Sequence, residues 1–319
     1  MLLLSLRRAK TPYPGLENLT LVCLTVFITL LGLEFYLKVF FVQTDNFDTL
    51  ARRNWRERYY TGTFNSLGYR DVEWTEALVA GKTKVMVVGD SFVEGAGIEQ
   101  PQDRFPDQLV QKLGPDYVVF NLGRRGAYTS QEMYAALKYP YQPDILIWSY
   151  VVNDIEEVAA KLGFHRPSNP QAPFLLRPLV ENSFVANFFY WRLIHALAAW
   201  QPDTSWQWFL SAYNDPEAWQ LHQQELLSIY EAAHSRQIPL LVVVFPSMTN
   251  VEQSQVITKR IINLYQNKGV PTLEVADLIQ GIPTAELIAS PVDAHPSEQV
   301  HKLVAEALYE MLIGLELAK

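Results

Sequence analysis

Five short runs of aliphatic and β-branched residues recur along the chain. They are Lys84–Gly89, Tyr117–Asn121, Asp144–Tyr150, Pro239–Phe245 and a weaker Pro271–Val275. Apart from the weaker fifth, none alternates apolar with polar residues, which suits strands covered on both faces. Helical patterns follow them at about 102–113, 129–138, 216–236, 251–267 and 297–317. This alternation predicts an α/β fold, a three-layer doubly wound parallel sheet with helices on both faces. In such a sheet, ligands bind beyond the carboxyl ends of the strands. A chain of 319 residues can bury a core of this kind without disulfides or structural metal. Its single cysteine, Cys23, excludes an internal disulfide and a Cys-rich zinc site. A formal net charge of −8 argues against nucleic acid as the main partner.

Charged residues make up 19% of the chain, below the roughly 25% of soluble proteins. The deficit is concentrated: Leu19 to Leu33 contains no charged residue, and the apolar run continues to Val42 broken only by Glu34 and Lys38. As a helix, 19–42 spans roughly 36 Å, enough to cross a bilayer, and the spacing of four lets Glu34 and Lys38 pair. We read 1–18 as a short basic tail and 19–42 as a transmembrane helix. A cleaved signal peptide is the alternative, but no small-residue A-x-A site follows the run. A buried soluble helix does not suit a segment that is apolar all round. Arg7, Arg8 and Lys10 favour a cytoplasmic amino terminus. Arg52, Arg53, Arg56 and Arg58 follow the span, so charge alone leaves the orientation open. Removing residues 1–42, with four basic and two acidic residues, takes the formal charge from −8 to −10.

Residues 43–82 read as a linker and lead-in, and 83–319 as the α/β domain. The stretch 155–215 breaks the rhythm, with Pro167, Pro170, Pro173, Pro178 and Pro202 among many aromatics from Phe184 to Trp208. It reads as an insertion with a small core of its own, as an aromatic cap over the active site, or as a surface resting on a bilayer.

The residues that follow the strands carry the chemistry. Gly89-Asp90-Ser91 follows the first run, and Asn121 to Gly126 the second. Asn153-Asp154 follows the third, and Asp293-Ala294-His295 precedes the last helix. Acyl transfer needs a serine whose proton is taken by a base, and His295 has the intrinsic pKa for that task. It also needs preorganised donors for the oxyanion. The Ser91 N–H, the Gly126 N–H and the Asn153 amide are candidates, and glycine at 126 lets the backbone approach a substrate closely.

These four blocks, in this order over 89–297, resemble the SGNH (GDSL-like) hydrolase superfamily. Asn65-Ser-Leu-Gly-Tyr-Arg-Asp71 and Gly89-Asp-Ser-Phe-Val-Glu-Gly-Ala-Gly97 are similar to membrane-anchored bacterial members. The resemblance covers about 65–315, without the insertion. It implies a flavodoxin-like SGNH hydrolase fold with Ser91 as nucleophile, His295 as base and Asp293 orienting it. It also implies an oxyanion hole of Ser91, Gly126 and Asn153, with no cofactor or metal. It implies an esterase acting through an acyl-enzyme on an ester-bearing small molecule, lipid or acylated glycan. The location implied is the bacterial inner membrane, with the catalytic domain extracytoplasmic. An O-acyltransferase acting on a cell-envelope polysaccharide, or a non-catalytic carbohydrate-binding or scaffolding protein, are the alternatives. Three residues depart from the family pattern. Phe92 replaces the leucine after the serine, and Val151 stands where the third block often has glycine. Asp293 lies two residues before the histidine rather than three, where Val292 stands.

Each residue also has a structural reading. Ser91 and Ser297 can cap helices, and Asp90 can hold its turn. Gly95 and Gly97 read as turn glycines, since no phosphate-binding glycine motif is present. Asn153 can satisfy local backbone, and Asp154 reads as a capping carboxylate. Arg124 and Arg125 read as solvated, or as contacts for an anionic substrate. His165, His195, His222, His234 and His301 lack metal-site spacing and read as surface or packing residues.

Overall fold

The structure, a computed structural model, describes residues 14–47, 49–167, 170–198 and 204–318. Arg7, Arg8 and Lys10 of the basic tail lie outside these residues, as do Trp200 and Pro202 of the insertion. Each of the five apolar runs overlaps a strand. These are β1 (Thr83–Gly89), β2 (Tyr117–Gly123), β3 (Ile145–Tyr150), β4 (Leu240–Val244) and β5 (Thr272–Glu274). They form one parallel sheet in the order β2-β1-β3-β4-β5. The order reverses at β1, which opens a crevice between the carboxyl ends of β1 and β3.

The runs lack alternation because both faces of the sheet are covered. Met86, Val88, Trp148, Val242 and Val244 pack beneath the Thr129–Lys138, Pro216–His234 and Val251–Gln266 helices. Val85, Val87, Ile147, Leu241 and Val243 face the Phe105–Leu113 and Glu298–Gly314 helices. All five residues of β4 are buried, each side chain stabilising the fold by about 1.5–3 kcal/mol relative to exposure.

Three features depart from the sequence expectation. A two-stranded antiparallel hairpin, β6 (Ile288–Ser290) with β7 (Asp293–Pro296), stands apart from the main sheet. Its strands are too short and too polar to leave a periodic signal. Second, the insertion does not keep a core to itself. Trp206, Phe209, Ala212 and Tyr213 join the same cluster as β3. Third, Glu34 is bonded to another helix rather than paired with Lys38. Its carboxylate accepts from Ser183 Oγ (2.8 Å), Phe184 N–H (2.7 Å) and Val185 N–H (2.9 Å), so it caps the Phe184–Ala198 helix.

The first helix, α1, runs Pro14–Phe40. Its stretch Asn18–Phe40, 23 residues with a mean hydropathy of 2.0, is long and apolar enough to cross a membrane, and Leu37 near its end is buried. Residues 43–82 then lie against the sheet. They carry α2 (Leu50–Tyr59), with Trp55 and Tyr60 buried. Arg70 is buried and donates to the carbonyls of Gly95, Ile98 and Glu99, each at 3.0 Å. It thereby braces the loop that follows Ser91.

The turn that carries Ser91 is clamped between strands. A Cβ on Gly123 would lie 2.0 Å from the Glu94 nitrogen, against backbone that cannot give way. Gly123→Ala therefore lowers the free energy of unfolding by about 1–3 kcal/mol. Urea unfolding of the full chain in detergent checks this, and an unchanged midpoint contradicts the close packing.

Candidate active site

Four elements converge on the crevice. β1 ends at Gly89, and Asp90 caps the short Ser91–Glu94 helix by accepting from the Phe92 N–H at 2.9 Å. The capping task falls to Asp90, so the Ser91 hydroxyl is free to point into the crevice. From the end of β3, Asn153 donates its amide to Asp90 Oδ2 at 3.2 Å, and Ser91 Oγ lies 3.2 Å from the same oxygen. Burial pushes the Asp90 carboxyl up, against the lowering effect of the bonds from Phe92 and Asn153. Asp154 accepts from the Val151 N–H at 3.1 Å and so closes the turn after β3.

β7 supplies the third element. His295 Nε2 lies 3.0 Å from Ser91 Oγ, across 204 residues of sequence. On the other side of the ring, Nδ1 meets Asp293 Oδ1. In a strand, side chains two residues apart share a face. The spacing of two in β7 therefore puts acid and imidazole side by side. Gly97, with φ +86°, admits this hairpin. A Cβ there would lie 2.4 Å from Ala289 Cβ and 3.4 Å from Asp293 Oδ2.

The fourth element is the segment that leaves α1. Thr44 Oγ1 donates to Asp293 Oδ2. The Asn46 amide, oriented by its partners, donates to Asp293 Oδ1 at 2.9 Å and accepts from the Ala294 N–H at 3.1 Å. The Asn46 N–H also bonds the Val292 carbonyl at 2.9 Å. Asp293 is 2% exposed. Burial alone would raise its pKa, but the bonds and charge of His295 and the bond from Thr44 hold it at about 2.

Ser91, Asn153 and His295 line one cavity of about 460 Å³. Phe47, Arg166, Trp206 and Phe209 form part of its wall, and the loop Ser247–Asn250 after β4 closes another side. The insertion thus supplies part of the cavity wall. Gly126 is elsewhere: it is exposed, with φ +71°, and lines a neighbouring cleft with Tyr69, Arg124 and Gln131. The reason is local. Arg124 N–H bonds the Gly89 carbonyl at 3.1 Å and Arg125 N–H bonds Glu94 Oε2 at 2.7 Å, which turns the next residue outward. The Arg125 side chain is half-buried between Glu94 and Tyr60, and Arg124 is exposed.

Among the described residues no group of three or more His, Cys, Asp and Glu side chains could hold a metal ion. His222 and His301 are buried packing residues. Sequence reasoning did not identify Thr44, Asn46, Phe47 or the 247–250 loop as parts of the site. Thr44 and Asn46 belong to a short polar run directly after the apolar helix, the one local sign that this segment has partners.

A profile of the GDSL-like lipase/acylhydrolase family matches residues 87–303. Among curated proteins, none matches the chain by sequence. Several solved structures are similar. A lipolytic protein of the G-D-S-L family from Desulfitobacterium hafniense DCB-2 shares 16% identity over 72% of this chain and 100% of its own, with a TM-score of 0.45. TesA shares 15% identity over 73% of this chain and 99% of its own, with a TM-score of 0.45. A two-domain esterase active on acetylated mannans shares 15% identity over 76% of this chain and 52% of its own, with a TM-score of 0.41.

The pKa of Asp293 carries a stability consequence. Its folded value, about 2, lies below its ordinary 3.8, so ionisation favours the folded state by about 2 kcal/mol. This contribution is fully present above the ordinary value and is lost as the pH falls through about 2. Asp293→Asn is therefore less stable than the parent at neutral pH, and the gap narrows towards pH ~3. Chemical denaturation of both proteins at the two pH values checks this, and a gap that widens in acid contradicts it.

Proposed function

The chain belongs to the GDSL-like lipase/acylhydrolase family, and on that premise we propose that it is a serine esterase acting through an acyl-enzyme. The observation that carries the proposal is the chain of contacts Ser91–His295–Asp293 opening into a cavity large enough for an ester. Ser91 Oγ attacks the carbonyl carbon while His295 Nε2 takes its proton. The Asp293 carboxylate accepts from Nδ1–H, which selects the tautomer with a free Nε2 and stabilises the imidazolium that forms. The alkoxide leaves with the proton that His295 returns, and water then releases the acyl group by the same steps in reverse.

The oxyanion of the tetrahedral intermediate is met by the Ser91 N–H and the Asn153 amide. Asn153 Nδ2 has two protons and donates one to Asp90, which leaves the other for substrate. With Gly126 lining the adjacent cleft, these two donors form the oxyanion hole of this proposal. The substrate is an ester-bearing small molecule, lipid or acylated glycan.

We further propose that α1 is retained as a membrane anchor, with the α/β domain on the extracytoplasmic side as in the anchored bacterial members the sequence resembles. The bonds of Glu34 to residues 183–185 support retention. Removing α1 as a signal would strip the Phe184–Ala198 helix of its cap.

A fluorophosphonate probe and a p-nitrophenyl ester test the activity in full-length protein. The parent is labelled. Ser91→Ala loses the label and about 10³-fold or more in kcat, and Asn153→Ala loses about 10²- to 10³-fold. Undiminished labelling of Ser91→Ala overturns the nucleophile. A folded parent that neither reacts with the probe nor cleaves esters overturns the esterase.

A further inference from the structure

The Phe184–Ala198 helix is apolar on two opposite faces. One face packs on the domain: Phe188 meets Phe41 with ring centroids 5.2 Å apart, and Trp191 and His195 meet Phe47 at 5.1 and 4.4 Å. Asn187 on the same side is buried and accepts from the Leu50 N–H at 3.2 Å. The other face carries Phe189, Leu193 and Leu197, four residues apart and therefore one stripe. These are 57%, 58% and 53% exposed. The segment leading into the helix continues the apolar surface. Phe174 and Leu175, 82% and 87% exposed, are the most exposed large apolar side chains among the described residues, and Leu179 lies exposed beside them. Surfaces of this kind are not left to water.

The neighbour of this surface says what covers it. Glu34, within the Asn18–Phe40 stretch, bonds Ser183, Phe184 and Val185. The start of the helix is thereby tied about six residues, or roughly 9 Å, below the upper end of α1. On that part of α1, Phe35, Tyr36 and Phe40 are themselves exposed. The start of the helix that carries the stripe is therefore fixed beside exposed apolar side chains of α1, and where α1 spans a bilayer the medium around those side chains is lipid. Tyr190, Trp191 and the exposed Arg192 are residue types suited to the interfacial region.

We propose that residues 173–198 form a second membrane element. The Phe184–Ala198 helix lies in the bilayer interface against α1, with Phe189, Leu193 and Leu197 towards the acyl chains. The proposal rests on α1 being a membrane span and goes beyond it. Because Phe47 both packs on Trp191 and His195 and lines the Ser91 cavity, this element would leave only Phe47 and the width of one helix between the catalytic cavity and the lipid. An ester carried by an amphiphile in the membrane would then be presented to Ser91 without leaving the interface.

Depth-dependent quenching in full-length protein tests it. The protein is reconstituted in phosphatidylcholine–phosphatidylglycerol vesicles, with or without spin-labelled acyl chains. A bimane label on the native Cys23, which is exposed on α1, reports the span. In a Cys23→Ser background, Leu175→Cys, Phe189→Cys and Leu193→Cys report the new element, and Asp116→Cys, exposed before β2 at the edge of the sheet opposite the crevice, serves as the aqueous reference. The expected result is loss of most emission at Cys23 and at the three test positions in spin-labelled vesicles, with the Asp116→Cys signal unchanged. Quenching at Cys23 with none at the three positions overturns the second element and leaves the span standing. A blue-shifted but unquenched signal at those positions shows a protein partner or a second copy on that face and likewise overturns it. Absence of quenching at Cys23 removes the span and this inference together.

Discussion

An aspartate shut away from water must still be an anion if it is to hold an imidazole in place. Removing a carboxylate from solvent is costly unless donors replace the water. Asp293 has such donors: His295 on its own strand, and Thr44 and Asn46 from the segment after α1. Its neighbour Asp45 shows the contrast. It accepts from Thr49 and the Phe47 N–H, yet burial, with the Asp293 charge adding to it, pushes its carboxyl up to about 6. The site therefore depends on residues 44–46 as much as on β7. The stretch between the apolar helix and the first strand is part of the architecture of the candidate site.

A second brace holds the serine side. Arg70 is fully buried and spends its guanidinium on four carbonyls, those of Tyr59, Gly95, Ile98 and Glu99, while stacking 4.0 Å over the Tyr60 ring. A planar fork of donors suits several backbone acceptors at once, which lysine could not match. Asp71, the next residue, accepts from the Asn121 N–H and from Trp74 Nε1. The run Asn65–Asp71 thus works as scaffolding: Arg70 fixes the loop after Ser91, and Asp71 fixes β2.

The insertion joins the chemistry to the apolar exterior. Its Trp206 and Phe209 wall the cavity. Its Phe184–Ala198 helix shows one apolar face to Phe47 and another outward. A helix with two apolar faces has no single polar side to turn to water, so the pattern that made this stretch hard to read has a physical basis. It separates a protein core from what we propose to be lipid.

The strands and their layer order were legible because a strand covered on both faces must be apolar at every position, a local property that survives in sequence. The same holds for the Asn18–Phe40 stretch and for the cap role of Ser297, whose hydroxyl accepts from the Val300 N–H. The candidate chemistry was legible as separate blocks, since each sits at a strand end or before a helix. What local pattern does not contain is convergence. Ser91 and His295 are 204 residues apart and Thr44 and Asp293 are 249 apart, and no periodicity links them. Tertiary packing also decided that an acid two residues from the histidine meets its ring, because β7 is a strand with a period of two. It decided too that Gly126 faces the adjacent cleft, because its neighbours bond Gly89 and Glu94. By itself the sequence determined the sheet, the apolar helix and the inventory of reactive groups. Only the tertiary structure decided which of those groups meet, because their meeting depends on where distant segments pack.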